Sequence, residues 1–124
     1  MSLFMERAST PQATHEVEVL PDAVRVSLAG EFDLMTEQDL TTWLVGAIEA
    51  HPGRPVEVDM DRVTFLDSSG IRVLLSAHGL AARHGGSFRL TRASGMVREV
   101  LDIVDVYAFL SGEGDGGEAG PLAV

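Results

Sequence analysis

The chain has no cysteine, which excludes disulfides and thiolate metal sites. It has no lysine either: all nine basic residues are arginine, against nineteen acids. A phosphate-binding GxxxxGK[ST] loop therefore cannot be written anywhere along it. The arginine-only usage reads as a coding bias of a GC-rich genome and not as a guanidinium-dependent site. Long apolar runs are missing as well. The apolar stretches are strand-length or broken by Arg, Asp or Gly, so no membrane span is expected. The N-terminus lacks the basic region and long apolar run of a secretory signal, which makes a cytoplasmic location the expectation. The shortage of positive charge leaves a formal net charge of −10. Nucleic acid, whose phosphates demand a basic face, is excluded as a partner.

What is present is 124 residues with 45% apolar content, enough for one modest core. The acidity has two readings. It suits a partner with a basic or mixed surface, because complementary potential speeds encounter. It is also an ordinary solubility device.

Residues 1–14 have no sustained period and read as a flexible lead-in. His15 to Leu20 and Ala23 to Ala29 alternate around Pro21-Asp22, which predicts a hairpin. Thr36 is a candidate N-cap with Asp39 near the capping-box position, and Leu40, Trp43, Leu44, Ala47 and Ile48 follow at helical spacing. His51-Pro52-Gly53 stops that helix. Pro55 to Met60 is a strand, and Asp61-Arg62 a short break before Val63 to Leu66. A second helix is expected from Ser68 or Ser69 to about His84, where Gly85-Gly86 ends it. Its apolar residues occupy two faces (Ile71, Leu74, Leu75; Val73, Ala77, Leu80), so it is either sandwiched or turned toward a partner. Ser87 to Thr91 is a further strand. Ser94 can cap a third helix with Met96, Val97, Val100, Leu101 and Val104 as its stripe, and Val106 to Leu110 is a short last element, strand or helix. From Ser111 the Gly- and acid-rich chain has little to bury, and a disordered tail over 111–124 is expected. Strands alternating with helices after a hairpin imply crossovers, a largely parallel sheet and helices on one face.

Few residues carry chemistry. The histidines (His15, His51, His78, His84) are scattered, and His78 and His84, six apart, do not share a helical face as two ligands would. No metal, cofactor or catalytic residue is expected. Asp67-Ser68-Ser69-Gly70 lacks the first Gly of a GxSxG elbow. Those two serines stand where an apolar strand gives way to an apolar helix. Ser68 is placed to cap the helix, worth typically about 1 kcal/mol. It is equally placed to carry a phosphate, since free N–H groups and the helix dipole favour negative charge there. Position alone leaves both readings open.

Two segments together resemble the STAS domain family, and within it the stand-alone bacterial anti-sigma factor antagonists. Val63-Thr64-Phe65-Leu66-Asp67-Ser68-Ser69-Gly70-Ile71 is similar to the family's strand followed by Asp-Ser-(Ser/Thr)-Gly-(Leu/Ile). Leu28-Ala29-Gly30-Glu31-Phe32-Asp33, with Thr36 and the first helix, is similar to its leucine-x-Gly-Glu-(Leu/Phe)-Asp segment. The likeness covers about residues 15–110. It implies an α/β fold, a single-domain STAS-like sandwich whose mixed sheet has four to five strands with helices packed on it. It implies that Ser68 is the phosphorylation site, and that Asp33, Asp67, Ser68, Ser69, Gly70 and Ile71, with the second helix, form a partner face. It further implies a partner-switching cycle. The unmodified protein binds an anti-sigma factor of the serine-kinase type and a sigma factor is released; phosphorylation ends the contact, and a PP2C-type phosphatase restores it. A monomer or weak dimer, not an enzyme, is expected. The alternative is a STAS interaction module in another signalling or lipid-transport assembly, without phospho-switching.

Overall fold

In the computed structural model, which describes residues 11–112, the two alternating runs pair antiparallel as β1 (Ala13–Val19) and β2 (Val24–Phe32). β1 begins at Ala13, two residues before its expected start at His15, and so takes in the last two residues of the expected lead-in. The rest of that lead-in, before residue 11, and the expected tail beyond 112 lie outside the described residues. A 3-10 turn (Leu34–Thr36) leads into α1 (Glu37–Ala50). Then come β3 (Pro55–Leu66), α2 (Ser68–Arg83), β4 (Ser87–Thr91), α3 (Gly95–Ile103) and α4 (Tyr107–Ser111). The last element, expected as strand or helix, is a helix, and it takes in Ser111, the expected first residue of the tail, because that residue is buried at the helix end.

The sheet order is β1-β2-β3-β4, with β2, β3 and β4 mutually parallel. Four strands form where four or five were expected. The break predicted at Asp61-Arg62 does not occur: Ser27 pairs with Asp59 but Ala29 with Arg62, so β3 absorbs one extra residue as a bulge and continues. A bulge bends a strand without ending it. The Asp59 carboxylate accepts the Asp61 amide at 3.0 Å and steadies the kink.

The two faces of the sheet divide by chemistry. Val24, Val26 and Leu28 of β2, Val56, Val58 and Met60 of β3, and Phe88 and Leu90 of β4 are buried. Leu40, Leu44 and Ile48 of α1, Ile71, Leu74 and Ala77 of α2, and Leu101 and Leu110 join them in one core. The opposite face carries Arg25, Glu57, Asp59, Arg89 and Thr91 in cross-strand register. Arg89 meets Glu57 at 2.9 Å, and Arg92 grips Asp59 through two nitrogens at 2.6 and 3.1 Å. That hydrogen bond from Arg92 holds the Asp59 carboxyl below the usual range, against the opposing effect of burial.

Helix α2 is sandwiched. Its first apolar face meets the sheet, and its flanks pack on α1 and α4, where the His78 ring lies 4.4 Å from Phe109 and 6.1 Å from Phe88. The two apolar faces read in the sequence are thus used inside the molecule.

Candidate partner-binding site

The site is built from the ends of two parallel strands. Gly30 has φ +102°, and a Cβ there would stand 2.1 Å from the Gln12 carbonyl oxygen. Only glycine tolerates both conditions. The close approach lets the Glu31 amide donate to that same oxygen at 3.0 Å. A second register shift at Gly30/Glu31 then turns Phe32 into the core, where it is 1% exposed. Its ring meets Trp43 edge-on at 6.4 Å, and Trp43 stacks on His15 at 4.3 Å. Burial there lowers the pKa of His15, as burial against the Phe88 and Phe109 rings lowers that of His78.

Phe32 joins the two motifs. It pairs with Leu66, and its carbonyl accepts the Asp67 amide at 3.2 Å. A Cβ on Gly70 would fall 2.5 Å from Leu66 Cδ1 and 3.2 Å from the Phe32 oxygen. The absence of a side chain at Gly70 therefore lets α2 start tight against the end of β2.

Both strands end on an aspartate that organises the following turn. Asp33 is extended; one carboxylate oxygen accepts the Met35 amide at 2.9 Å and the other accepts from the Gln12 side chain at 2.9 Å. The Thr36 hydroxyl accepts the Asp33 amide at 3.0 Å and donates to the Glu31 carbonyl at 3.2 Å. Thr36 occupies the backbone cap position of α1, but its side chain makes no capping bond to that helix. The expected cap is corrected accordingly: the hydroxyl faces back into a capping box with Asp33. Ser94 likewise stands at the start of α3 without a side-chain capping bond.

Asp67 repeats the device for α2. It too is extended, and its Oδ1 accepts the Ser69 and Gly70 amides at 2.9 and 3.3 Å. The N-cap is therefore Asp67 and not Ser68, which becomes the first residue of the helix. The reason is geometric: the pairing of Phe32 with Leu66 and the bond from the Asp67 amide to the Phe32 carbonyl end the extended backbone at Asp67, so the helix starts one position earlier than a Ser68 cap would set it. With the cap supplied by its neighbour, the Ser68 hydroxyl is exposed and makes no hydrogen bond among the described residues. Ser69 is only 8% exposed. Gly70 and Ile71 are buried, and Asp33 and Asp67 are half-buried.

Sequence reasoning missed two residues beside these. Leu34 and Met35 are 66% and 81% exposed on the 3-10 turn. The available signal was their place: two large apolar residues between a capping acid and a helix start, belonging to neither period. Arg72 of α2 bridges to Glu37 of α1 at 3.2 Å and ties the two turns together. Behind that ion pair a cleft of 460 Å³ runs between α1 and α2 over Leu44, Val73 and Leu80. Among the described residues no cluster of His, Asp and Glu could hold a metal ion, and no helix is long and apolar enough to cross a membrane.

Comparison with known proteins follows this geometry. The family described as "Mlab, STAS domain" matches residues 15–111. The anti-sigma-B factor antagonist of Bacillus subtilis (strain 168) is 26% identical over 96 residues, covering 76% of this chain and 86% of the relative. Among solved structures, an anti-sigma factor antagonist from Mycobacterium paratuberculosis superposes with a TM-score of 0.71 at 22% identity, covering 82% of this chain and 86% of the other. The Bacillus cell fate determinant SpoIIAA in its phosphorylated form gives 0.57 at 22% identity, over 79% and 88%. At such identities the structural likeness establishes the fold: a four-stranded mixed sheet with helices, as the motifs implied. With the family match spanning both capped turns and every element between them, the chain belongs to the STAS domain family.

Proposed function

We propose that the chain is an anti-sigma factor antagonist whose contact with its partner is switched at Ser68. The unphosphorylated form binds an anti-sigma factor that is also a serine kinase, and a sigma factor is released. Transfer of phosphate to Ser68 ends the contact, and a PP2C-type phosphatase restores it. The observation that carries this reading is the exposure of Ser68 on a helix start already capped by Asp67, next to the exposed Leu34 and Met35. Leu34, Met35, Asp33, Asp67 and Ser68 are the contact surface, while Ser69, Gly70 and Ile71 hold its shape from beneath.

The energetics separate folding from binding. Phosphorylation adds about −1.5 to −2 charges. At a helix N-terminus the fold gains about 0.3–1 kcal/mol from that charge. Enclosed in an interface with no matched cation, the same dianion costs several kcal/mol. Every 1.4 kcal/mol is about tenfold in affinity, so the switch acts on the complex and spares the domain. The relatives support the reading by what they are: an anti-sigma-B factor antagonist and a protein solved in a phosphorylated form.

The test is phosphorylation by a candidate anti-sigma kinase with ATP. Wild type is labelled at Ser68, and Ser68→Ala is not. Ser68→Asp weakens the complex by about a hundredfold or more at an unchanged melting temperature, and Leu34→Ser with Met35→Ser weakens it by about tenfold. Equal labelling of Ser68→Ala, or full-strength binding by Ser68→Asp, overturns the mechanism. The family match is to the STAS domain as such and is equally compatible with a second reading, a STAS interaction module of another signalling or lipid-transport assembly without phospho-switching. Under that reading the Leu34/Met35 variant loses its partner while Ser68→Asp keeps it.

A further inference from the structure

Helix α3 is apolar on two sides, and the core takes only one of them. Val97 and Leu101 are 2% and 0% exposed. Met96, Val100, Ile103 and Val104 recur at i, i+4, i+7 and i+8 and form a second stripe beside them. Ile103 is 81% exposed, Val104 46% and Met96 40%, with Val100 half-buried. Single exposed apolar residues are ordinary, whereas a contiguous stripe marks a contact surface. Helix propensity gives no reason for it, because Ile and Val are weaker helix formers than Ala, Leu or Glu. The C-terminal end fixes the stripe in place. Asp105 takes φ +64°, its amide donates to the Asp102 carbonyl at 3.0 Å, and the Val106 amide reaches the Leu101 carbonyl at 3.0 Å.

The rim of the stripe selects what can cover it. Glu99, three residues from Met96 and four from Ile103, borders the stripe on its outer side, and the exposed Asp105 follows it, while Asp102 lies one row further round. The one basic residue of this segment, Arg98, is engaged: its Nε lies 3.1 Å from Asp102 and its guanidinium 3.6 Å above the Tyr107 ring. A second copy would bring acid against acid, in a chain whose net charge is already −10. An anionic membrane surface is repelled for the same reason.

We infer that the outer stripe of α3 is a docking surface for a helical segment of a partner protein, with an apolar face edged by Arg or Lys. This surface lies on a different element from the Ser68 turn and does not depend on phosphorylation. The test replaces Ile103 by the photo-crosslinker p-benzoylphenylalanine in the full chain, irradiates the protein in its source cells and sequences the crosslinked peptide. The expected product joins position 103 to an amphipathic helix of another protein with basic residues along one edge. Glu99→Arg, which disturbs no ion pair among the described residues, should lower its yield about fivefold while the melting curve is unchanged, and Glu99→Gln should lower it less. Absence of a crosslink overturns the inference. So does a crosslink to residues 113–124, to a second copy, to lipid or to a segment without a basic edge, and so does a yield indifferent to Glu99→Arg.

Discussion

The turn after β2 and the turn after β3 are built on one plan and present opposite chemistry. Each begins with an extended aspartate whose carboxylate accepts an amide two residues on at 2.9 Å: Met35 for Asp33, Ser69 for Asp67. The first turn then exposes two large apolar side chains, Leu34 and Met35. The second exposes one small hydroxyl, that of Ser68, over a first helical turn that is otherwise buried. The difference shows how little of a surface's character the local fold decides. The same cap, at the same end of parallel strands, leaves two apolar side chains open to solvent in one case and a single hydroxyl in the other. A partner resting on both would be held by the first and released by the second.

The largest expected effect tests the foundation of the first turn. Gly30→Ala places a Cβ against the Gln12 carbonyl at φ +102° and should cost about 2–4 kcal/mol, read from denaturant midpoints. Gly70→Ala should cost less, about 1–3 kcal/mol, because its closest neighbour is the movable Leu66 side chain and not backbone. If Gly70→Ala proved the more harmful, the first turn would not be the more rigid of the pair.

Next come the caps. Asp67→Ala should lose about 1 kcal/mol, since it frees two amides at the start of a sixteen-residue helix. Asp33→Ala should lose less, because it starts only a three-residue 3-10 turn, with the Thr36 hydroxyl still in place. Equal losses would mean that the two turns are energetically equivalent, and their contrast would then lie in side-chain chemistry alone.

The smallest effect is on pH. His15, stacked on Trp43 beneath the first turn, and His78, beneath α4, both have pKa values lowered from 6.5 by burial. The native state then binds fewer protons than the unfolded chain, so stability falls as pH drops through about 6.5 toward the lowered values. Melting temperatures measured from pH 7.5 to 5.5 should decline modestly, and His15→Gln with His78→Gln should flatten the slope. An unchanged slope in the double variant would remove these two rings as its source. Asp59, held low by its hydrogen bond from Arg92, adds stability at neutral pH that is lost only in acid, as pH falls below the ordinary value of 3.8.

Much of this architecture was legible in the chain. The alternation of Val24, Val26 and Leu28 predicted a half-buried strand, and the two apolar faces of residues 71–80 matched a helix enclosed between neighbours. The motif glycines Gly30 and Gly70 turned out to be places where backbone or packing leaves no room for a Cβ. Three features were not legible, each for a physical reason. Asp and Ser rank alike as N-caps, so choosing Asp67 over Ser68 required the pairing of Phe32 with Leu66, which is not local. A bulge and a strand end look the same in a polar pair such as Asp61-Arg62. The stripe read on α3 joined inward and outward residues, because its width exceeds the face that the core can take.

The burial of Ser69 has a consequence for robustness. Two adjacent serines look like redundancy, as though one could stand in for the other after a chance mutation. They are not interchangeable parts. Ser69, 8% exposed, is held beneath the first turn by the same Asp67 carboxylate that leaves Ser68 open to solvent. A modifying enzyme could reach Ser69 only by unwinding the start of α2 and giving up the cap. Under the proposed switch this corner has no spare: a single codon change at position 68 would leave the protein folded and deaf.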